Sequence, residues 1–216
     1  MLHALGGRLS SPILLEVKNY PGVRSVLGTG KFVIKKSTAT FVEGPSGSGK
    51  TRLFRRITDL DPEPMGDIHF EGQNVQTYPL PHLRRQILFI PQEPPRFQGT
   101  TMEVLNTLLS DREGRIEEAQ KKKLLERLDL MDTLKQPTSQ LSGGEWKRLI
   151  LVAALCKNPK ILLLDEPFAG LDETRIKDAA SAIQNRITLG LTTLWTSHQK
   201  TIGPLRPDQT IHIFKT

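Results

Sequence analysis

Apolar positions gather into short runs broken by glycine, proline and charge, and the runs change period along the chain. Residues 13–17 are apolar between Pro12 and Asn19 and predict a strand. Residues 31–36, with Phe32, Val33 and Ile34, predict a second, and the β-branched and aromatic run 38–42 a third. Short strands are expected at 68–70 and 87–90, the latter ended by Pro91. Residues 161–164 are continuously apolar, the pattern of a strand covered on both faces, and 192–196, with Trp195, form the last expected core strand. Helical patterning appears at 52–60, where Leu53, Phe54 and Ile57 share a side, across 102–134, from Trp146 onward, and at 179–187. Strands recurring with helices between them point to an α/β fold with a largely parallel sheet.

Chemistry enters where the third strand stops. Gly44-Pro45-Ser46-Gly47-Ser48-Gly49-Lys50-Thr51 matches a phosphate loop, with a strand before it and a helix after it. Glycines let successive N–H groups turn inward onto phosphate oxygens at a helix N-terminus. Lys50 then reaches the β- and γ-phosphates of a nucleotide, and the Thr51 hydroxyl is placed for Mg²⁺. The apolar run 161–164 ends in Asp165 and Glu166, which puts both carboxylates at the carboxyl edge of a parallel sheet, where ligands of open α/β sheets bind. Asp165 suits a hold on Mg²⁺, direct or through water. Glu166 suits a general base that orients and polarises an attacking water.

Composition narrows the setting. A chain of 216 residues accommodates one well-buried α/β domain, or one carrying an insertion. Its longest apolar runs fall far short of the roughly 20 residues that span a bilayer. Residues 1–12 include Arg8 but no apolar stretch of leader length, so the chain is expected to stay in the compartment where it is made. Cys156, the single cysteine, excludes an internal disulfide and reads as a small buried thiol. A net charge of +7 leaves nucleic acid, an anionic surface or no specific partner open. The basic groups are not interleaved with aromatics, which make up only 6% of residues, so no stacking groove and no specific nucleic-acid partner is expected.

Leu141-Ser142-Gly143-Gly144-Glu145 opens a helix shortly before the acidic strand. With it the chain resembles the ATP-binding cassette (ABC) ATPases, whose signature reads LSGGQ or LSGGE. The other landmarks follow in that family's order: Gln92 as the Q-loop, Ala169-Gly170-Leu171-Asp172 as the D-loop, and His198 as the switch histidine. The resemblance runs from Leu14 to about Phe214. It implies a phosphate-loop NTPase (RecA-like) core with a parallel sheet, antiparallel strands near the N-terminus and an inserted helical subdomain. The expected organisation is one domain over 1–216, with a core of about 13–92 and 148–214 and a helical subdomain of about 93–147.

The resemblance also implies roles. Ser142, Gly143 and Gly144 form an anion site of the same physical kind as the phosphate loop, and in the family that site grips the γ-phosphate of ATP on the opposite subunit. Two half-sites on one chain then imply a head-to-tail pair with a second ATPase subunit, two ATP molecules lying between them; Asp172 of the D-loop is counted with the nucleotide-binding residues. Gln92 is expected at Mg²⁺ or the attacking water, and His198 at the γ-phosphate. Arg52, just beyond Thr51, is counted with the nucleotide-binding residues although the family often carries a small hydroxyl residue there. Tyr20 stands about where the family places the ring that stacks on adenine; the other reading is a turn tyrosine before Pro21-Gly22. Trp146 occupies a usually polar place, so something is expected to pack on it.

The expectation for the whole is an Mg²⁺-dependent ATPase on the cytoplasmic face of a membrane, powering a separate multi-span permease. A soluble ABC ATPase of cluster assembly or nucleic-acid maintenance is the alternative. A phosphate-loop kinase explains Gly44 to Thr51 but leaves Ser142 to Gly144 and His198 without a part. Cargo, and import against export, stay open.

Overall fold

A computed structural model describes residues 12–61, 63, 66–110 and 116–215. The N-terminal residues read above as lacking a leader lie outside these, apart from Pro12. The strands are β1 (Ile13–Lys18), β2 (Val23–Ser25), β3 (Gly28–Thr29), β4 (Phe32–Lys35), β5 (Ala39–Glu43), β6 (Asp67–Phe70), β7 (Gln73–Asn74), β8 (Ile87–Ile90), β9 (Ile161–Leu164), β10 (Thr192–Trp195) and β11 (Gln209–Ile213). The α-helices are α1 (Lys50–Ile57), α2 (Leu80–Gln86), α3 (Thr101–Leu108), α4 (Glu118–Arg127), α5 (Gly143–Cys156) and α6 (Glu173–Thr188).

Seven strands form the main sheet in the order β3-β2-β11-β5-β10-β9-β8. From β11 to β8 every neighbouring pair is parallel, while β2 and β3 continue one edge antiparallel. A second sheet, β4-β1-β6-β7, is antiparallel throughout. The antiparallel strands expected from the resemblance are therefore present. β11 was not legible: Gln209 and Thr210 mask its apolar character, and only pairing with β5 fixes it as a core strand. The helical stretch expected across 102–134 contains α3, α4 and a 3₁₀ turn at Met131–Thr133.

Alternation along the parallel strands sets up two cores. Leu162, Leu164, Phe41 and Trp195 face α5 and α6, whose Leu149, Val152 and Ile183 meet them, and the same cluster takes in Val104 of α3 and Leu125 of α4. Ile161, Leu163, Leu194 and Ile211 face the other way, onto Leu53, Phe54 and Ile57 of α1 and the inner face of the antiparallel sheet. All four residues of β9 are buried, as a strand sandwiched between two apolar layers requires. Each such Leu or Ile contributes roughly 1.5–3 kcal/mol on burial, so the sheet centre is rigid and its carboxyl edge is a fixed platform. Among the described residues no helix is long and apolar enough to cross a membrane.

Candidate active site

A cavity of about 890 Å³ opens at the carboxyl ends of β5, β8, β9 and β10. Gly44, Pro45, Ser46, Gly47, Gly49, Lys50, Thr51 and Arg52 line it from the phosphate loop, together with Gln92, Asp165, Glu166 and His198. Residues scattered over the sequence are thus brought to one wall by parallel strands that end together.

The phosphate loop needs its glycines at defined points. A Cβ on Gly44 would lie 2.3 Å from the Ile213 carbonyl oxygen of β11 and 2.5 Å from Ser48 Oγ. Gly47 (φ 71°) and Gly49 (φ 100°) occupy the left-handed region, and Gly49 is the N-cap of α1. Lys50 curls over this loop and donates to the carbonyls of Gly44 (2.8 Å) and Pro45 (3.1 Å). Ser48 does not line the cavity; its hydroxyl is buried without a protein partner.

The acidic strand end is tightly fixed. Asp165, only 4% exposed, accepts from the Thr51 hydroxyl through Oδ2 at 2.5 Å and from the Thr196 hydroxyl through Oδ1 at 2.7 Å. Glu166 takes a left-handed backbone (φ 48°), and its N–H donates to Thr196 Oγ1 at 2.9 Å. A non-glycine residue held at positive φ where charged groups converge is a recurrent feature of functional sites. Thr196 braces both acids, a role that the β-branched run 192–196 hinted at without revealing. Arg55, Asp61 and Lys200 also line the cavity and were not singled out from sequence. Arg52 donates to Asp61 (3.0 Å) and to Glu63, and its bond to Asp61 raises its pKa above the usual value.

Thr51 Oγ1, the Asp165 carboxylate and the Gln92 amide form a hard-oxygen donor set suited to Mg²⁺, which keeps waters and binds through one or two protein groups plus substrate phosphates. Among the described residues no group of three His, Cys, Asp or Glu could hold a metal ion.

Besides Ser48 and Tyr20, four predicted residues stand apart from this wall. Ser142, Gly143, Gly144 and Asp172 do not line the cavity. Ser142 caps α5 in a reciprocal box: its Oγ accepts from the Glu145 N–H (3.2 Å), and Glu145 Oε2 accepts from the Ser142 N–H (2.8 Å). That cap satisfies the Glu145 N–H and leaves the amides of Gly143 and Gly144, in the first turn of α5, without an intrahelical partner. Asp172 caps α6 through the Arg175 N–H at 2.9 Å, and this bond lowers its pKa.

Tyr20 requires a correction. Its ring is 2% exposed and belongs to the core beneath the antiparallel sheet, and it does not line the cavity. Gly66 lies against its Cα and Cβ, and burial pushes its phenol up to about 12. With the residue buried, the ring presents no exposed face on which adenine could stack.

A parallel sheet with a phosphate loop and paired acids at its carboxyl edge defines a phosphate-loop nucleoside triphosphatase. The model of the ABC transporter family matches residues 27–169. A "Probable ABC transporter ATP-binding protein" of Azorhizobium caulinodans is 34% identical over 205 residues, covering 90% of this chain and 71% of that one. The lipopolysaccharide export system ATP-binding protein LptB of Escherichia coli is 31% identical over 187 residues, covering 84% and 77%. The crystal structure of a nucleotide-free ATP-binding cassette from an ABC transporter superposes with a TM-score of 0.72 at 26% identity, over 94% of this chain and 88% of that one. The chain belongs to the ABC transporter family, as an ATP-binding and ATP-hydrolysing subunit.

Proposed function

We propose that this chain hydrolyses MgATP in a site completed by a second ATPase subunit, and that the pair drives a separate multi-span permease from the cytoplasmic face of the membrane. The observation that carries the reading is the division of the predicted residues. Those for phosphates and attack converge on one cavity, while Ser142 to Gly144, the second anion site of this reading, lie outside its lining. A head-to-tail pair brings each such site against the other chain's cavity, so one domain, with its helical segment at about 93–147, offers half of each of two sites.

In this reading the amides from Ser46 to Thr51 cradle the phosphates, and Lys50 leaves the carbonyls of Gly44 and Pro45 for β- and γ-phosphate oxygens. Mg²⁺, held by Thr51, Asp165 and Gln92, would neutralise phosphate charge. Glu166 accepts a proton from the attacking water as its oxygen bonds to the γ-phosphorus and the bond to the bridging oxygen breaks, giving ADP and phosphate. His198 donates to the γ-phosphate, and Ser142 with the Gly143 and Gly144 amides of the opposite chain closes on it.

The test is purified Glu166→Gln beside the parent chain. Phosphate release is expected to fall by about 100-fold or more, with ATP affinity kept within about twofold, and ATP should trap pairs in sedimentation. Unchanged turnover removes Glu166 from the mechanism. Capture of the tagged chain from solubilised host membranes should bring a multi-span protein with it; soluble partners alone would favour the non-transport reading.

A further inference from the structure

Three loops that the proposed function assigns to two different nucleotides meet at one pair of side chains on α5. Trp146 follows the Ser142 capping box, in a place flanked by Glu145, Lys147 and Arg148, and is 2% exposed. Its indole N–H donates to the carbonyl oxygen of Pro94 at 3.1 Å. Pro94 stands two positions after Gln92 and is buried, whereas Gln92, Glu93 and residues 95–99 are exposed. Pro94 is the one buried residue of the stretch 92–99, and the side chain that holds its carbonyl is Trp146. Phe97 meets the indole at 6.2 Å, and the Arg96 guanidinium lies 5.8 Å over it while donating to the carbonyls of Thr138 and Leu141 (3.0 and 2.9 Å), the latter just before Ser142. Lys147 Nζ adds the third loop, lying 3.2 Å from Glu93 Oε1 and 3.2 Å from the Ala169 carbonyl oxygen.

We infer that Trp146 is a positioning residue that fixes the loop bearing Gln92 to the helix end bearing Ser142, so that a change at the chain's own nucleotide reaches the anion site it presents to the other. The inference rests on the proposed sharing of ATP between two chains. An indole N–H is a donor only, and separating it from Pro94 inside the protein leaves both groups unpaired, so loop and helix move as one body. Pro94 has a fixed φ and restricts the backbone of Glu93 before it, which stiffens the link between the pin and Gln92.

The discriminating variant is Trp146→Phe, which keeps an aromatic ring against Phe97 and Arg96 and removes the donor. Expected is a folded protein that binds a fluorescent ATP analogue within about twofold of the parent. Its kcat should fall about 2- to 10-fold, the loss of one buried hydrogen bond from the coupled state, and the Hill coefficient for ATP should drop towards that of independent sites. Parent values for both kcat and Hill coefficient would reduce Trp146 to a packing residue and overturn the inference. A parent chain with independent sites and no ATP-dependent pairing would overturn the shared-site reading itself, and this inference with it. Hydrogen–deuterium exchange on the unmutated chain gives a readout independent of the variant's folding. Peptides covering residues 92–99 and 142–149 should gain protection at the same ATP concentration, and separate midpoints would overturn the coupling.

Discussion

Thr51 Oγ1 donates to Asp165 Oδ2 at 2.5 Å, joining the end of the phosphate loop to the end of the acidic strand. Because Asp165 Oδ1 already accepts from Thr196, the carboxylate is held from both sides and cannot turn away from the cavity. Asp165→Asn puts an amide donor against one of these hydroxyls. The Mg²⁺ concentration giving half-maximal ATPase activity should rise by about 10-fold or more, read from magnesium titrations at fixed ATP. An unchanged magnesium requirement would place the ion elsewhere.

Tyr20 is a core residue, and its hydroxyl is buried without a protein partner. Tyr20→Leu should lower stability by about 1–2 kcal/mol through lost packing and leave ATP affinity within about twofold. Denaturant unfolding and nucleotide titration separate the two effects. A tenfold loss of affinity would return the ring to the base.

Gly44 and Gly143 should respond differently to the same change. Gly44→Ala forces a methyl against Ile213 and Ser48 and should cost about 1–3 kcal/mol of stability. A Cβ on Gly143 meets nothing within 4 Å, so Gly143→Ala should fold with a stability change of about 0.5 kcal/mol or less. Any loss of turnover in Gly143→Ala then reports on phosphate approaching that amide in the assembled pair, and full turnover would argue against it.

Glu145 bonds back to Ser142, and this hydrogen bonding lowers its pKa below the usual carboxylate value. Its contribution to stability is present above the unfolded carboxylate pKa and is lost as pH falls through the lower folded value. The second anion site should therefore loosen in acid. Glu145→Ala should remove about 1 kcal/mol at neutral pH and flatten the fall in stability below about pH 4.3. Thermal unfolding of both proteins across that window checks it; parallel curves would mean the box adds nothing.

Some of this molecule could be read from a list of residues. The phosphate loop, the acidic strand end and the capping sequence at Ser142 are contiguous, so their local chemistry is set by neighbours in the chain. The central strands were legible because burial on both faces demands unbroken apolar runs, as in β9. Strand β11 escaped because Gln209 and Thr210 blur a segment that only pairing with β5 explains. Tyr20 was misplaced because sequence position gives a ring's neighbourhood and not which side of it is covered. Thr196 became a site residue only when β10 was paired beside β9, and Arg55, Asp61 and Lys200 only when the chain folded around the cavity they line. Trp146 could be marked as out of place by its polar surroundings, but its contact with Pro94 joins distant segments. Local motifs fix which chemistry is available, because bonded geometry carries it. The convergence of those motifs, and the pin between them, comes from packing around a sheet whose strand order no linear pattern encodes.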